Sequence, residues 1–316
     1  SNKEKLQQVI DKLLFTFVCS NLLVSIIAIV LGVNAKINHF QLIDNSSLLP
    51  VYSEFSPFLH VAYFGFYLSF AIIISIYLIR HSTNILIRLT SLLTILIGSF
   101  ALYFSSSKGS FLSMFFMLMC MAVYEFINSK SKLKLGFIFF ATVCIIVFSL
   151  KENPRIYSFK KMFTELIHPE KVDPNASSDI SNGQRIYVIK SSVEVIKNNL
   201  LIGVGAGDVI DELEQQYLKN GYKILAHKKL NCHNQFLESF VEIGILGGLI
   251  FLIFNFMAIF QCLKHKNYLQ LYFIIGFSII ALTESFLNHQ AGIVFVALFF
   301  CLLSIIEPIK NTQNEG

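Results

Sequence analysis

Apolar residues in this chain do not alternate with polar ones; they run together. Eight stretches of about 18 or more apolar residues with few charges read as membrane-spanning helices. They are Leu13–Val33, Phe58–Ile79, Ile85–Phe104, Gly109–Ile127, Leu133–Leu150, Phe236–Leu263, Tyr268–Leu287 and Ala291–Ile306, the last being the shortest. Leu13–Val33 is too long for a secretory signal peptide and lacks a small-residue cleavage pattern. Between the fifth and sixth runs lies a polar segment, residues 151–235. Its first part, with His168-Pro169 and then Asp173 to Ser178, is turn-rich. A helix follows, with Ser181 or Asn182 as its cap and Ile186, Ile189, Val193 and Ile196 as one apolar stripe. It ends near Asn199, and glycines recur at Gly203, Gly205 and Gly207. A second helix, Val209–Lys219, is stopped by Asn220-Gly221. The expected fold class is all-α: a polytopic membrane helix bundle of about eight spans with a helical extracytoplasmic loop domain. Its regions are residues 1–150 with five spans, the loop domain 151–235, and residues 236–316 with three spans and a tail.

Composition sharpens that division. The 316 residues are 54% hydrophobic and 14% charged, with a mean hydropathy of +0.63; an ordinary soluble domain has about 25% charged residues. Residues 151–235 hold 22 of the 45 charged residues, so the average conceals a bundle and a polar domain of ordinary charge density. A net charge of +5 without a clustered basic face excludes nucleic-acid binding. Cys19, Cys120, Cys144, Cys262 and Cys301 lie in apolar runs, where Cys behaves as a small hydrophobe. Only Cys232 has polar neighbours, and without a CxxC spacing neither a disulfide framework nor a zinc site is expected.

The Lys and Arg residues give the chain a direction. One side carries Lys3, Lys5, Lys12, Arg80, Arg88, Lys130, Lys132, Lys134, Lys264, Lys266 and Lys310; the short loops opposite carry Lys36 and Lys108. The positive-inside rule then predicts cytoplasmic termini and an external loop domain, periplasmic in a diderm bacterium. The chain begins Ser-Asn without an initiator Met, as a processed, truncated or tagged protein would.

A charge within the bilayer costs about 2.5–3.5 kcal/mol on insertion scales, so intramembrane charges are functional candidates. Arg88 and Glu125 lie near cytoplasmic ends and can snorkel. The others gather at the opposite boundary. Glu238 and Glu242 are one turn apart at the outer end of the sixth span, entered by His233 and Asn234. Glu284 is near the outer end of the seventh, with His289 and Gln290 in the turn beyond. Lys108 sits in the outer turn between the third and fourth spans. Arg185 lies in the first turn of a loop-domain helix, where a cation opposes the helix dipole. This boundary suits a substrate with a lipid tail and an anionic head. Taken singly, each residue has a plain structural reading. Lys108 can be an interfacial anchor, the carboxylates can pair with dipoles, and His233-Asn234 can be a cap pair. Gly244, Gly247 and Gly248 suit close helix packing. The run Gly203, Gly205, Gly207 is a weak phosphate-nest signal, and with no preceding strand a dinucleotide fold is excluded.

The segment from His233-Asn234 through Glu238 and Glu242 to Gly244 and Gly247 resembles the most recognisable stretch of the O-antigen ligase / O-antigen polymerase superfamily. Three further pieces agree in order. Ser107-Lys108-Gly109 resembles the family's Ser-Arg-Gly turn. Arg185 with Tyr187, followed by a helix and Gly203, Gly205 and Gly207, resembles the external-loop motif. Thr283-Glu284-Ser285 through Gln290 and Gly292 resembles the penultimate-helix motif. The resemblance covers roughly residues 85–306. Lys108 departs from the family's Arg, keeping the charge but losing the bidentate fork. Five spans before the loop are fewer than the family usually has, as in a reduced member or a chain lacking N-terminal helices.

The resemblance implies a GT-C-like architecture and a metal-independent, cofactor-free enzyme of the bacterial inner membrane. Its donor would be an undecaprenyl-diphosphate-linked glycan. The acceptor would be lipid A core in a ligase, a second lipid-linked glycan in a polymerase, or a protein in an O-oligosaccharyltransferase. In that chemistry His233 is the expected base, since imidazole changes charge nearest neutral pH. Arg185 and Lys108 are the expected diphosphate clamp. Asn234 or Glu238 would orient the base, and direct displacement would invert the anomeric centre. Asn234, Glu238, Glu242, Glu284, His289 and Gln290 would line the substrate site. A lipid-glycan transporter is the competing class, but transporters place charges near the midplane and carry inverted repeats.

Overall fold

The computed structural model describes residues 2–42, 56, 59–105, 107–128, 164–165, 167–168, 172–176 and 182–306. The expected fifth span, Leu133–Leu150, lies outside the described residues, as do the Ser181 cap and most of the turn-rich stretch. All regular structure among the described residues is helical. The helices are α1 (Asn2–Leu42), α2 (Val61–His81), α3 (Ile85–Ser105), α4 (Lys108–Asn128), α5 (Asn182–Asn198), α6 (Val209–Lys219), α7 (Lys223–His227), α8 (Gln235–His265), α9 (Tyr268–Ala281) and α10 (Gln290–Ser304). A 3-10 turn, Phe286–Asn288, joins the last two. Among the described residues five helices can cross a membrane by length and composition: Lys5–Asn34 of α1, then α2, α3, Lys108–Ile127 of α4, and α8. The protein is a polytopic membrane helix bundle.

The α9 and α10 helices are apolar but only 14 and 15 residues long. The expected seventh span, Tyr268–Leu287, is therefore shortened: α9 stops at Ala281. Hydropathy misplaces that end because Leu282 and Thr283 do not continue the helical ladder. Their carbonyls accept side-chain hydrogen bonds from Asn234 and Arg185 instead.

Two compact units emerge. The first comprises residues 1–121, 257–280 and 286–316. Its α2 is buried over most of its length, with Phe66, Phe70, Ile73 and Ile74 almost fully enclosed. The rings of Phe70 and Phe273 lie 4.8 Å apart and those of Phe295 and Phe299 4.9 Å apart, which is aromatic packing distance. Hydroxyls here turn back on their own helix, as Ser69 Oγ does to Gly65 O and Ser75 Oγ to Ala71 O. This satisfies a donor where no water is available. Lys108 begins α4 in this unit, and Ser107 and Ser110 share a hydroxyl hydrogen bond of 2.7 Å beside it. His289 precedes α10 without capping it through its side chain, and Gln290 is its exposed first residue.

The second unit comprises residues 122–256 and 281–285. Its core gathers Val188 and Val195 of α5, Leu213 and Tyr217 of α6, Leu225 of α7, Cys232 and Val241 of α8. The α6 helix has the expected bounds, and Gly221 beyond it takes a φ of 78°. The α5 helix is turned from its expected face. Gln184, Val188, Ser191, Ser192 and Val195 are buried, whereas Ile189 is exposed. The buried polar groups explain the rotation: Gln184 donates to Pro174 O and Ala176 O, and Ser191 Oγ accepts from Asn220. At the start of α5 the Gly183 N–H donates to the Glu165 carboxylate, 2.9 Å away.

One break shapes α8. At Gly244, φ is 73° and ψ is −164°, far from helical values. In an unbroken helix Val241 O and Glu242 O would accept from Ile245 and Leu246. Here Val204 N donates to Val241 O at 2.8 Å and Gly205 N to Glu242 O at 2.9 Å. Ile245 N donates to Leu200 O at 2.8 Å. The loop after α5 is thus stitched into the break. A Cβ on Gly203 would lie 2.5 Å from Glu242 O, and one on Gly244 2.5 Å from Leu201 O. Both positions need glycine, for their positive φ and for this backbone approach. The alternating glycines therefore divide: Gly203 docks on α8, while a Cβ on Gly207 would meet open space. Gly247 and Gly248 make room for the side chains of Ile243 and Phe240 of the same helix.

Candidate functional site

The start of α8 and the segment 281–285 of the second unit hold the polar cluster. Asn234 supplies both halves of a junction. Its Oδ1 accepts from Leu237 N at 3.0 Å, capping α8, and its Nδ2 donates to Leu282 O at 3.2 Å. Glu238, in the first turn of α8 and almost wholly buried, ties the same two segments. Its Oε2 accepts from Cys232 N at 3.0 Å and from Ser285 Oγ at 2.8 Å. Burial, reinforced by the Glu238 charge, pushes the Cys232 thiol well above its ordinary range, so it stays protonated.

Glu284 lies in the segment so held, and both of its oxygens are engaged. Oε1 accepts from Arg185 Nη2 at 3.0 Å, and Oε2 faces His233 Nδ1 at 3.2 Å. Arg185 also donates from Nη1 to Thr283 O at 3.0 Å. This anchors the guanidinium that α5 places against its own dipole. The Arg185 side chain remains 34% exposed, against 17% for Glu284 and 19% for His233. His233 has a positive φ of 46°, and its N–H donates to Asn231 Oδ1. An ionised carboxylate can only accept, so in the neutral imidazole a hydrogen bond to Glu284 requires the proton on Nδ1, with the lone pair on Nε2. Among the described residues Nε2 is buried and has no hydrogen-bond partner.

The structure thus brings together Arg185, His233, Asn234, Glu238 and Glu284. Glu242 follows half-buried, one turn beyond Glu238. Lys108, His289 and Gln290 belong to the first unit. The carboxylate facing His233 is Glu284, in place of the expected Asn234 or Glu238, which are engaged with Leu282, Ser285 and backbone. The sequence marks Thr283 and Ser285 as parts of a motif but does not disclose their contacts with Arg185 and Glu238, and Asn231 carries no signal in it. The polar triplet Thr283-Glu284-Ser285, interrupting an apolar run, was the available signal. No group of three or more His, Cys, Asp and Glu able to hold a metal ion occurs among the described residues.

The class of protein is a polytopic membrane helix bundle with a helical polar segment and an Arg185–Glu284–His233 cluster beside the start of a span. The sequence model of the O-antigen ligase family matches residues 92–252, half of the chain, and the chain belongs to that family. It is accordingly a glycosyltransferase-type enzyme of the O-antigen ligase/polymerase kind, with lipid-linked glycan substrates. The match takes in Lys108, Arg185, His233 and the break in α8, and ends before Glu284. No curated protein matches the chain.

Proposed function

We propose that the chain transfers a glycan from undecaprenyl diphosphate to an acceptor hydroxyl, as an O-antigen ligase, with inversion at the anomeric carbon. The observation that carries this reading is the bridging of Arg185 and His233 by Glu284, with His233 Nε2 unpartnered among the described residues. The acceptor oxygen attacks the anomeric carbon while its proton passes to Nε2. Glu284 holds Nδ1–H and stabilises the imidazolium that forms. The bond from the anomeric carbon to phosphate oxygen breaks, and the leaving diphosphate carries off the electron pair. Arg185 binds the developing charge through the N–H groups not given to Thr283 and Glu284. Lys108 is the second cation of the proposal on its sequence position alone. The Lys and Arg asymmetry supports cytoplasmic termini and a periplasmic site on the inner membrane.

The test is turnover of a polyprenyl-diphosphate glycan by the full chain in lipid nanodiscs, with chelator present. Transfer with an inverted product linkage, lost in His233→Ala and Arg185→Ala, is expected. Retention of activity in both variants at normal folded yield would refute the mechanism. Glycan profiling after gene deletion identifies the acceptor: loss of all polymer on lipid A is expected, a single-repeat product indicates a polymerase, and an unglycosylated protein indicates the third kind.

A further inference from the structure

The loop that docks on α8 carries three consecutive large apolar residues, Leu200, Leu201 and Ile202, all of them exposed. They are 45%, 74% and 84% exposed. A domain bathed only in water rarely presents such a tip. Its position is fixed, because Leu200 O accepts from Ile245 N, and Val204 and Gly205 bond to Val241 and Glu242 on either side.

What surrounds the tip follows from α8 itself. The helix has 31 residues, a rise of about 46 Å, against a hydrocarbon thickness of about 30 Å. Residues 245–265 alone rise about 31 Å. The exposed large apolar side chains of α8 begin at Ile243 and continue through Leu246, Leu249 and Ile250. The residues before it include the buried Glu238 and half-buried Glu242. The break at Gly244 therefore marks the level where α8 meets hydrocarbon, and the tip is hydrogen-bonded to α8 at that level. Its exposed side chains extend the helix's lipid-facing surface.

We propose that Leu200, Leu201 and Ile202 insert into the acyl chains of the leaflet nearest the loop domain, making this loop a membrane anchor for the polar domain. The inference stands on the membrane span and the docking bonds, and does not depend on the transfer chemistry.

The chain contains no tryptophan, so one introduced indole reports without background. Ile202→Trp and, separately, Leu201→Trp in the full chain are reconstituted in bilayers containing lipids brominated at defined acyl depths. Leu246→Trp on the span and Lys219→Trp on α6 are the lipid and water references. Quenching at positions 201 and 202 by shallow bromines, at least threefold stronger than at 219 and with weak acrylamide quenching, is expected. Acrylamide quenching equal to that at 219 overturns the proposal by placing the tip in water. Protection from both quenchers also overturns it, because a protein surface then covers the tip. The glycan-transfer assay is not the readout, so failure here leaves the proposed reaction standing, and the converse holds.

Discussion

The two compact units differ in what their long-range polar bonds join: hydroxyls and amides to backbone in the first, charged side chains to one another in the second. In the first unit Ser25, Ser69, Ser75 and Thr94 each donate to a carbonyl four residues back, while Ser110 and Ser113 donate to the distant carbonyls of Ala62 and Gly276. The bonds within one helix need no tertiary structure, and those to distant carbonyls fasten helix to helix without gathering charge. In the second unit the side chains reach far along the chain. Arg185 pairs with a carboxylate 99 residues away, His233 with the same carboxylate 51 residues away, and Glu238 with Ser285 across 47. Polar groups satisfied at such range must be assembled, at a cost in chain entropy that local bonds avoid. A polar residue in this molecule is therefore informative according to where its partner lies, not merely because it sits in an apolar run.

The largest expected effects break the long-range network. His233→Ala lowers glycan transfer by about 10²–10⁴-fold and Arg185→Ala by about 10²–10³-fold, as measured by product formation at saturating donor. Glu284→Gln lowers kcat by about 10²-fold with a smaller change in KM. The amide can accept from Nδ1 but no longer compensates the imidazolium. Next in size are the docked glycines. Gly244→Ala forces a side chain into positive φ against the Leu201 backbone and lowers Tm by roughly 5–10 °C in nanodiscs. Gly207→Ala, facing open space, leaves Tm unchanged within about 1 °C. In the first unit, Tyr67→Phe removes the hydrogen bond to Ala291 O and costs about 0.5–1.5 kcal/mol, read as a small Tm decrease with transfer activity retained.

The smallest effect depends on pH. Glu194 accepts from Asn220 and Gln216, and chiefly the Asn220 bond holds its carboxyl below the ordinary range. A lowered folded-state value contributes stability above the unfolded carboxylate pKa, lost as pH falls through the folded value. Glu194→Gln should therefore lower Tm slightly at neutral pH, with a difference that shrinks on acidification. A difference that grows below pH 4 would contradict the assignment.

The bundle, the bounds of α6 and the junction at His233-Asn234 are legible in the sequence because each rests on local pattern. Runs of apolar residues declare spans, Asn220-Gly221 declares a stop, and a polar pair at the head of an apolar run declares a junction. The role of Glu284 was not legible. Its value lies in two partners that no periodicity links to it, and hydropathy averaging carried a helix straight through its segment. The pairing of Gly203 with Gly244 was hidden likewise: each glycine had a plausible local reading, and only their backbone approach joins them. The face of α5 was misjudged because Gln184, Ser191 and Ser192 are buried as satisfied polar groups, which a hydrophobic stripe cannot anticipate.

The order of Arg185, His233 and Glu284 along the chain has a consequence for biosynthesis. Chains emerge from the ribosome N-terminal end first. Arg185 and His233 are made early, while the carboxylate that joins them follows α8 and α9. A nascent chain halted before Thr283 would carry both without the group that fixes the proton on Nδ1. On the proposed mechanism, then, the cluster is complete only after α8 and α9 have both been made.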